Sequence, residues 1–141
     1  MKDAKEFLEQ CVILNKKINV KQNELDMLNS MLFKITPSLN PDKVKSSKDK
    51  DPLGATVAKV IDVQEEINSM IDEYVDRLKD IGDVIEQVDS FKQYELLHRR
   101  YVLGESLQEI ADEWGSTYRW VQKVKNAAIN SVQKILDENT N

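Results

Sequence analysis

The sequence of 141 residues has little of several residue types that would point to particular folds or sites. It has one cysteine, Cys11, which excludes an intramolecular disulfide and a structural zinc site built on several cysteines. Its four glycines and three prolines favour long helices over strands joined by tight turns. No apolar run approaches the roughly 20 residues that span a bilayer, and the N-terminus alternates charged with hydrophobic residues instead of resembling a signal peptide. We therefore expect an all-α, cytoplasmic protein without membrane contact.

The charge is unevenly distributed along the chain. The formal net charge of −5 is unfavourable for a nucleic-acid binder, whose affinity depends on neutralising phosphates. However, residues 116–136 contain four cations and no acid, whereas residues 62–89 contain ten acids and only two cations. A basic C-terminal segment and an acidic middle segment are therefore compatible with DNA binding at one end of the chain.

Two long stretches repeat apolar residues at intervals of three and four, which predicts helices that pair along an apolar seam. The first seam consists of Phe7, Cys11, Leu14, Ile18, Leu25, Leu28, Leu32 and Ile35, with Lys21 as its polar member. The second seam consists of Val57, Val60, Ile67, Ile71, Tyr74, Leu78, Ile81, Ile85 and Val88, with Gln64 as its polar member. Each helix would be about 45 Å long, and neither can bury its seam alone. We expect a long antiparallel helical hairpin of the coiled-coil type. Pairing within one chain and pairing between chains both remain open.

Three prolines separate the two stretches. Pro37, Pro41 and Pro52 lie in a segment of Lys, Asp and Ser residues that has nothing to bury, so residues 36–54 are expected to form a flexible linker. The hairpin with this linker would occupy residues 1–88, and a second domain would occupy residues 89–141.

Short helices with clear stops replace the long seams after Ser90. Gly104 stands where a helix would end in a left-handed cap, and Ser106 with Glu109 has the spacing of a capping box that opens the next helix. Gly115 would close that helix, and Ser116 would cap the third. This succession predicts a three-helix domain with a helix-turn-helix.

Two helices that cross at a turn need a small residue at the contact, a turn residue that tolerates positive φ, and apolar anchors on the second helix. Ala111, Gly115, Val121 and Val124 fill these roles, and Ile110 and Trp114 add apolar contacts. The opposite side of the third helix is polar, and Arg, Gln and Asn can bond base edges while Lys contacts phosphate. The candidate DNA-binding residues there are Ser116, Thr117, Tyr118, Arg119, Gln122, Lys123 and Asn126.

The segment YELLHRRYVLGESLQEIADEWGSTYRWVQKVKNAAINSVQKIL resembles region 4 of bacterial sigma factors. The similar elements are the stretch from Leu96 to Gly115 and the following helix with Val121, Ala128 and Leu136. They cover about the last third of the chain. The resemblance implies that the last helix binds a promoter −35 element and that the module touches RNA polymerase. Because the regions of sigma that melt promoters have no counterpart, we expect a regulator similar to the small transcription regulators of phages and mobile elements.

Several other residues allow two interpretations. Arg99 and Arg100 could reach the DNA backbone or complement the dipole of the helix that they end. Trp114 and Trp120 could stack on bases, but their place in the pattern favours the core. His98, the one histidine, has no partner ligand nearby in sequence, so a surface or packing role is expected. Accordingly, neither a metal site nor a cofactor is predicted.

Two alternatives to DNA binding come from other functional classes. Glu66, Glu73, Asp76 and Asp80 include pairs at helical spacing that could share a divalent metal in a nucleotide hydrolase, but this spacing is common in any acidic helix and a solvated flank of the coiled coil explains it without chemistry. The sequence favours a protein that is not an enzyme. The second alternative is an adaptor that binds RNA polymerase or a sigma factor through the C-terminal module. A homo-oligomer formed through the long helices would join two DNA-binding heads and raise their combined affinity for double-stranded DNA.

Overall fold

The computed structural model describes residues 3–38 and 51–140, and this part of the chain is helical without any strand. It contains five α-helices and one π-helical segment between the third and fourth of them. These are α1 (Ala4–Ser38), α2 (Pro52–Ile85), α3 (Phe91–Leu97), the π segment (His98–Val102), α4 (Leu107–Trp114) and α5 (Tyr118–Asn139). None of the described helices is both long and apolar enough to cross a membrane. The all-α class predicted from the sequence is confirmed.

The two long helices extend into both ends of the predicted linker. α1 continues to Ser38 and α2 begins at Pro52, so the prediction of linker structure at 36–38 and 52–54 is wrong. At the start of α2, the backbone N–H of Gly54 donates to Asp51 Oδ1 at 2.8 Å. Proline suits the first helical position because that residue's N–H has no partner within the helix. The rest of the linker, residues 39–50, lies outside the described residues.

The chain divides into two compact units. The larger unit comprises Met1–Asn15 and Tyr74–Asn141, and the smaller unit comprises Lys16–Glu73. Both long helices therefore contribute to both units, and the start of α1 belongs with the C-terminal residues. The domain boundary between residues 88 and 89 stays a prediction about which segments fold independently.

In the smaller unit, α1 and α2 contact each other through an apolar cluster. Leu25 and Leu28 of α1 pack with Val63 and Ile67 of α2, and Val60 packs against the cluster. Each of these residues except Val63 is a member of a predicted seam.

The seam assignment was wrong at three positions of α2: Val57 and Ile71 are 40% and 42% exposed, and Val63 takes the buried position assigned to Gln64. Val63 is fully buried, whereas Gln64 is exposed and its side chain donates to Asn68 Oδ1 at 3.0 Å. Successive residues of an α-helix point about 100° apart, so a shift by one residue exchanges an inward for an outward position. The valine takes the inward position because burying it removes apolar surface from water, while the glutamine amide keeps polar partners.

Lys21, the polar member of the first seam, forms an ion pair across the smaller unit. Its Nζ lies 2.7 Å from Glu66 Oε2 and 3.3 Å from Glu24 Oε2. The hydrogen bond with Lys21 lowers the pKa of Glu66, and the same bond raises the pKa of Lys21. This contact, called the seam ion pair below, penalises other registers of α1 against α2 because sliding either helix would separate the charges.

The core of the larger unit includes the first turns of α1. The backbone N–H of Ala4 donates to Gln133 Oε1 of α5 at 2.8 Å, and Ala4 and Leu8 are both fully buried. Burial raises the pKa of the Cys11 thiol, which is 1% exposed, as expected for a buried small hydrophobe. The buried residues that form this core are Ala4, Phe7, Leu8, Cys11, Ile81, Val84, Ile85, Val88, Leu96, Leu97, Tyr101, Ile110, Ala111, Val121, Val124, Ala128, Val132 and Leu136.

Candidate nucleic-acid interface

Two glycines in left-handed conformation end the helical segments before α4 and α5. Gly104 has φ of 77° and Gly115 has φ of 61°, a region that favours glycine because it has no Cβ. The helix closed by Gly115 is further capped by Ser116, whose N–H donates to the Ala111 carbonyl oxygen at 2.9 Å. Both predicted stops are confirmed.

The predicted cap of α4 is also present. Ser106 has extended backbone, and its Oγ accepts a hydrogen bond from the N–H of Glu109 at 3.1 Å. This bond satisfies one of the amide donors that have no partner within the first turn of a helix.

The cap of α5 differs from the prediction. Thr117, not Ser116, is the N-cap residue, because Thr117 Oγ1 accepts from the N–H of Trp120 at 3.1 Å and the helix begins at Tyr118. Ser116 belongs to the end of α4 through its bond with Ala111, and its own Oγ is buried and has no hydrogen-bond partner within residues 3–38 and 51–140. The turn is thus one residue longer than expected.

Apolar contacts fix the orientation of α5 in the larger unit. Ile110 and Ala111 of α4 and Val121 of α5 are fully buried, and Val124 is 7% exposed, as the sequence predicted. Ser131 Oγ of α5 also lies 2.6 Å from Gln93 Oε1 of α3. With one side of α5 held in this way, its opposite side is directed to solvent.

The exposed side of α5 carries a row of polar residues. Arg119, Lys123, Asn126 and Asn130 follow one another at intervals of four, three and four, and all are exposed. We call these four residues, with the neighbouring exposed Tyr118 and Gln122, the α5 polar face. Among the described residues, the side chains of Arg119, Gln122, Lys123 and Asn126 have no hydrogen bond or ion pair, so their donors and acceptors are available to a ligand.

The electrostatics of this face are positive. None of the ion pairs found among the described residues includes a cation of α5, so the charges of Arg119 and Lys123 are uncompensated by direct contacts. The partial positive charge at the N-terminus of α5 adds to them. By contrast, α4 exposes Glu109, Asp112 and Glu113, and an anionic ligand would avoid that side.

Arg99 and Arg100 lie in the π segment and contact residues near Gly104. Arg99 Nε lies 3.6 Å from Glu95 Oε2, and Arg99 Nη1 lies 3.3 Å from Glu105 Oε1. Arg100 Nη1 donates to the Glu105 carbonyl oxygen at 3.3 Å. Both side chains therefore support the turn before α4, and their contact with DNA stays a prediction.

The two tryptophans occupy different environments. Trp114 packs against the core, and Lys92 Nζ lies 4.1 Å from the centroid of its ring, so the predicted packing role is confirmed. Trp120 is 50% exposed, and its predicted core position is wrong. It lies one residue before the buried Val121, about 100° around the helix, which places the indole beside the α5 polar face. His98 is exposed, and its ring stacks with that of Tyr94 with 6.4 Å between the ring centroids. His98 therefore has a role at the surface.

Sequence reasoning therefore missed two residues of the exposed side of α5. Asn130 continues the spacing from Arg119 through Asn126, and that spacing was the available signal. For Trp120 no signal in the sequence distinguished an exposed from a buried indole.

The acidic residues considered as metal ligands do not form a cluster in the part of the chain that the structure describes. Glu66 is engaged in the seam ion pair. The described residues contain no group of three or more His, Cys, Asp or Glu side chains placed to hold a metal ion.

Comparisons with protein-family models, with curated proteins and with solved structures found no match.

Proposed function

We propose that this protein is a DNA-binding transcriptional regulator that reads duplex DNA with α5. In this proposal α4 and α5 form a helix-turn-helix in a three-helix domain, and α1 and α2 form an antiparallel hairpin. The observation that carries the proposal is the α5 polar face, an exposed stripe whose cationic and amide side chains Arg119, Gln122, Lys123 and Asn126 have no partners among the described residues. The source suggested by the sequence, a phage or mobile element, belongs to the same proposal.

The face suits a major groove in size and chemistry. The stretch from Arg119 to Asn130 covers about 17 Å of helix, and a major groove about 12 Å wide admits one α-helix. Gln122 and Asn126 can each form paired hydrogen bonds with adenine, while Arg119 can do so with guanine. Lys123 is assigned to phosphate, and contacts of this kind position the helix without reading sequence. The protein acts here by binding and not by catalysis.

The proposal can be tested before any operator is known, because non-specific binding depends on phosphates and not on base sequence. The assay is fluorescence anisotropy with a pool of random-sequence duplexes, repeated over a series of salt concentrations. The change is Arg119→Ala with Lys123→Ala. The matched control is Lys5→Ala with Lys79→Ala, which removes two exposed cations elsewhere in the larger unit.

The Arg119 and Lys123 variant should bind at least about tenfold more weakly, because two charge-assisted contacts are lost. On random-sequence duplexes both side chains are expected to contact phosphate, so the slope of log affinity against log salt should become shallower by about 2, since each phosphate contact contributes about 0.9. The control should keep both the affinity and the slope of the unchanged protein. Equal behaviour of the two variants would remove the α5 polar face from DNA binding.

Exposed aromatic side chains favour a second candidate, an adaptor that binds RNA polymerase or a sigma factor. Tyr118 is 45% and Trp120 50% exposed, and Arg119 stands between them in the sequence. Trp, Tyr and Arg are the residue types that dominate binding energy at protein interfaces. The same turn of α5 could therefore insert into a protein pocket.

Trp120→Ala separates the two candidates when binding to random duplexes and to purified RNA polymerase is measured at the same salt concentration. An adaptor should lose polymerase affinity by about thirtyfold, the loss typical of an interface hot spot, with little change in DNA binding. Polymerase binding that is absent, or that is unchanged by Trp120→Ala, would count against this adaptor.

A further inference from the structure

The smaller unit exposes a row of apolar side chains on α1 that its own core does not use. Val20 is 66%, Met27 54% and Met31 40% exposed. Their intervals of seven and four match those of a helix that packs against a partner. At about 100° per residue, these three residues, called the α1 stripe, point about 60° to 100° away from Leu28 and farther from Leu25, the two residues that contact α2.

A similar row lies on α2. Val57 is 40%, Ile61 51% and Ile71 42% exposed, and we call them the α2 stripe. Val63, which packs against α1, points to a different side of the helix, while Ile71 follows the buried Ile67 by four residues and borders the contact with α1. α1 and α2 of one chain contact each other through their buried cluster, and the side chains of both stripes remain exposed, so this contact within the chain does not cover them.

The charges beside the stripes differ in sign. Lys16 and Lys34 flank the α1 stripe, whereas Glu65 and Asp72 flank the α2 stripe. All four side chains are exposed, and among the described residues none of them has an ion pair. Two α1 stripes would bring lysines together, two α2 stripes would bring carboxylates together, and only an α1 stripe against an α2 stripe joins opposite charges.

We propose that the α1 stripe of one copy of this chain packs against the α2 stripe of a second copy. Two copies can form this contact twice, with the α1 stripe of each on the α2 stripe of the other, and then close as a symmetric dimer. If each pair forms it once, the free stripes extend the assembly into a ring or an open chain. The inference does not depend on DNA binding, and its test uses no DNA.

Sedimentation velocity of the full chain over the micromolar range measures the association. The apolar test is Met27→Ser, and the matched control is Phe33→Ser, because Phe33 is 83% exposed on α1 and points to a different side of the helix. Met27→Ser should weaken association about tenfold through lost apolar burial, while Phe33→Ser should leave it unchanged. A wild-type protein that remains monomeric throughout, or equal effects of the two changes, would overturn the proposal.

Charge exchange tests which stripes meet. One variant carries Lys16→Glu and Lys34→Glu, and the other carries Glu65→Lys and Asp72→Lys. Each alone should be largely monomeric because its two stripes have flanks of like charge, and an equimolar mixture should recover association. Self-association of either variant alone at the wild-type level, or a mixture that stays monomeric, would refute the contact. Circular dichroism of each variant should show wild-type helix content, as expected for changes at exposed positions.

Discussion

The first turns of α1 are expected to stabilise the unit that carries α5, and Leu8→Ala tests this directly. Leu8 is fully buried in the core of the larger unit. Replacing a buried leucine by alanine removes apolar contacts and leaves a cavity, which costs about 2 to 5 kcal/mol. We expect the free energy of unfolding to fall by about 3 kcal/mol. This is a large loss, since the free energy of unfolding of a typical protein is about 5 to 15 kcal/mol.

The assay is urea unfolding followed by tryptophan fluorescence, since both tryptophans lie in the larger unit. With about 1 to 3 kcal/mol per molar urea for a small protein, the midpoint should fall by about 1 to 3 M. Ile13→Ala is the matched control on the same helix, because Ile13 is 50% exposed and its loss should change stability by less than about 1 kcal/mol. Equal, small effects of both changes would show that the start of α1 does not belong to this core.

Three further predictions concern turns, caps and charge. Gly115→Ala should destabilise the protein by about 1 to 2 kcal/mol in urea unfolding because of its positive φ, whereas Gly82→Ala, within α2 and with open space at its Cβ, should stabilise it by up to about 1 kcal/mol. Thr117→Ala should lower the free energy of unfolding by about 1 kcal/mol because α5 loses its N-cap, whereas Ser116→Ala should leave it nearly unchanged. A larger loss for Ser116→Ala than for Thr117→Ala would contradict the cap assignment. The folded-state pKa of Glu66 is lowered, so the stability contributed by the seam ion pair is complete above the ordinary carboxyl pKa of 4.5 and is lost as pH falls through the lowered value. Glu66→Gln should therefore weaken the fall in melting temperature over that acidic range, and an unchanged profile would speak against the pair.

The helical class and the helix stops could be predicted because they depend on local chemistry. Intervals of three and four residues identify a helix whatever it packs against. Gly104 and Gly115 were recognisable because a left-handed backbone favours glycine strongly over other residues. Packing residues such as Ala111 and Val121 followed from the same local pattern.

Positions that depend on tertiary partners could not be predicted. Leu8 follows Phe7 directly, and only the packing of the larger unit shows that both are buried. Val63 lies three residues after Val60 and Gln64 lies four residues after it, so both fit the spacing of a buried row on α2. Which of the two is buried depends on how α1 faces that helix. These are questions of pairing, which the intervals within one helix do not answer.

For the candidate interface, the sequence identified the helix but not all of its exposed residues. Arg119, Lys123 and Asn126 share one side of any helix that buries Val121, so their exposure followed from periodicity. Trp120 lies at the border of that side, where an apolar residue can be buried or exposed. Its state depends on whether another element covers the border, and no rule of spacing contains that information.

The most direct test of DNA recognition by α5 is an NMR titration of the isotope-labelled protein with a duplex selected from a random pool. The account predicts that the largest changes in backbone amide shifts fall between Thr117 and Asn130 and include Arg119, Lys123 and Asn126. Changes confined to α2 or α4, with the amides of α5 unaffected by a duplex that binds, would contradict it.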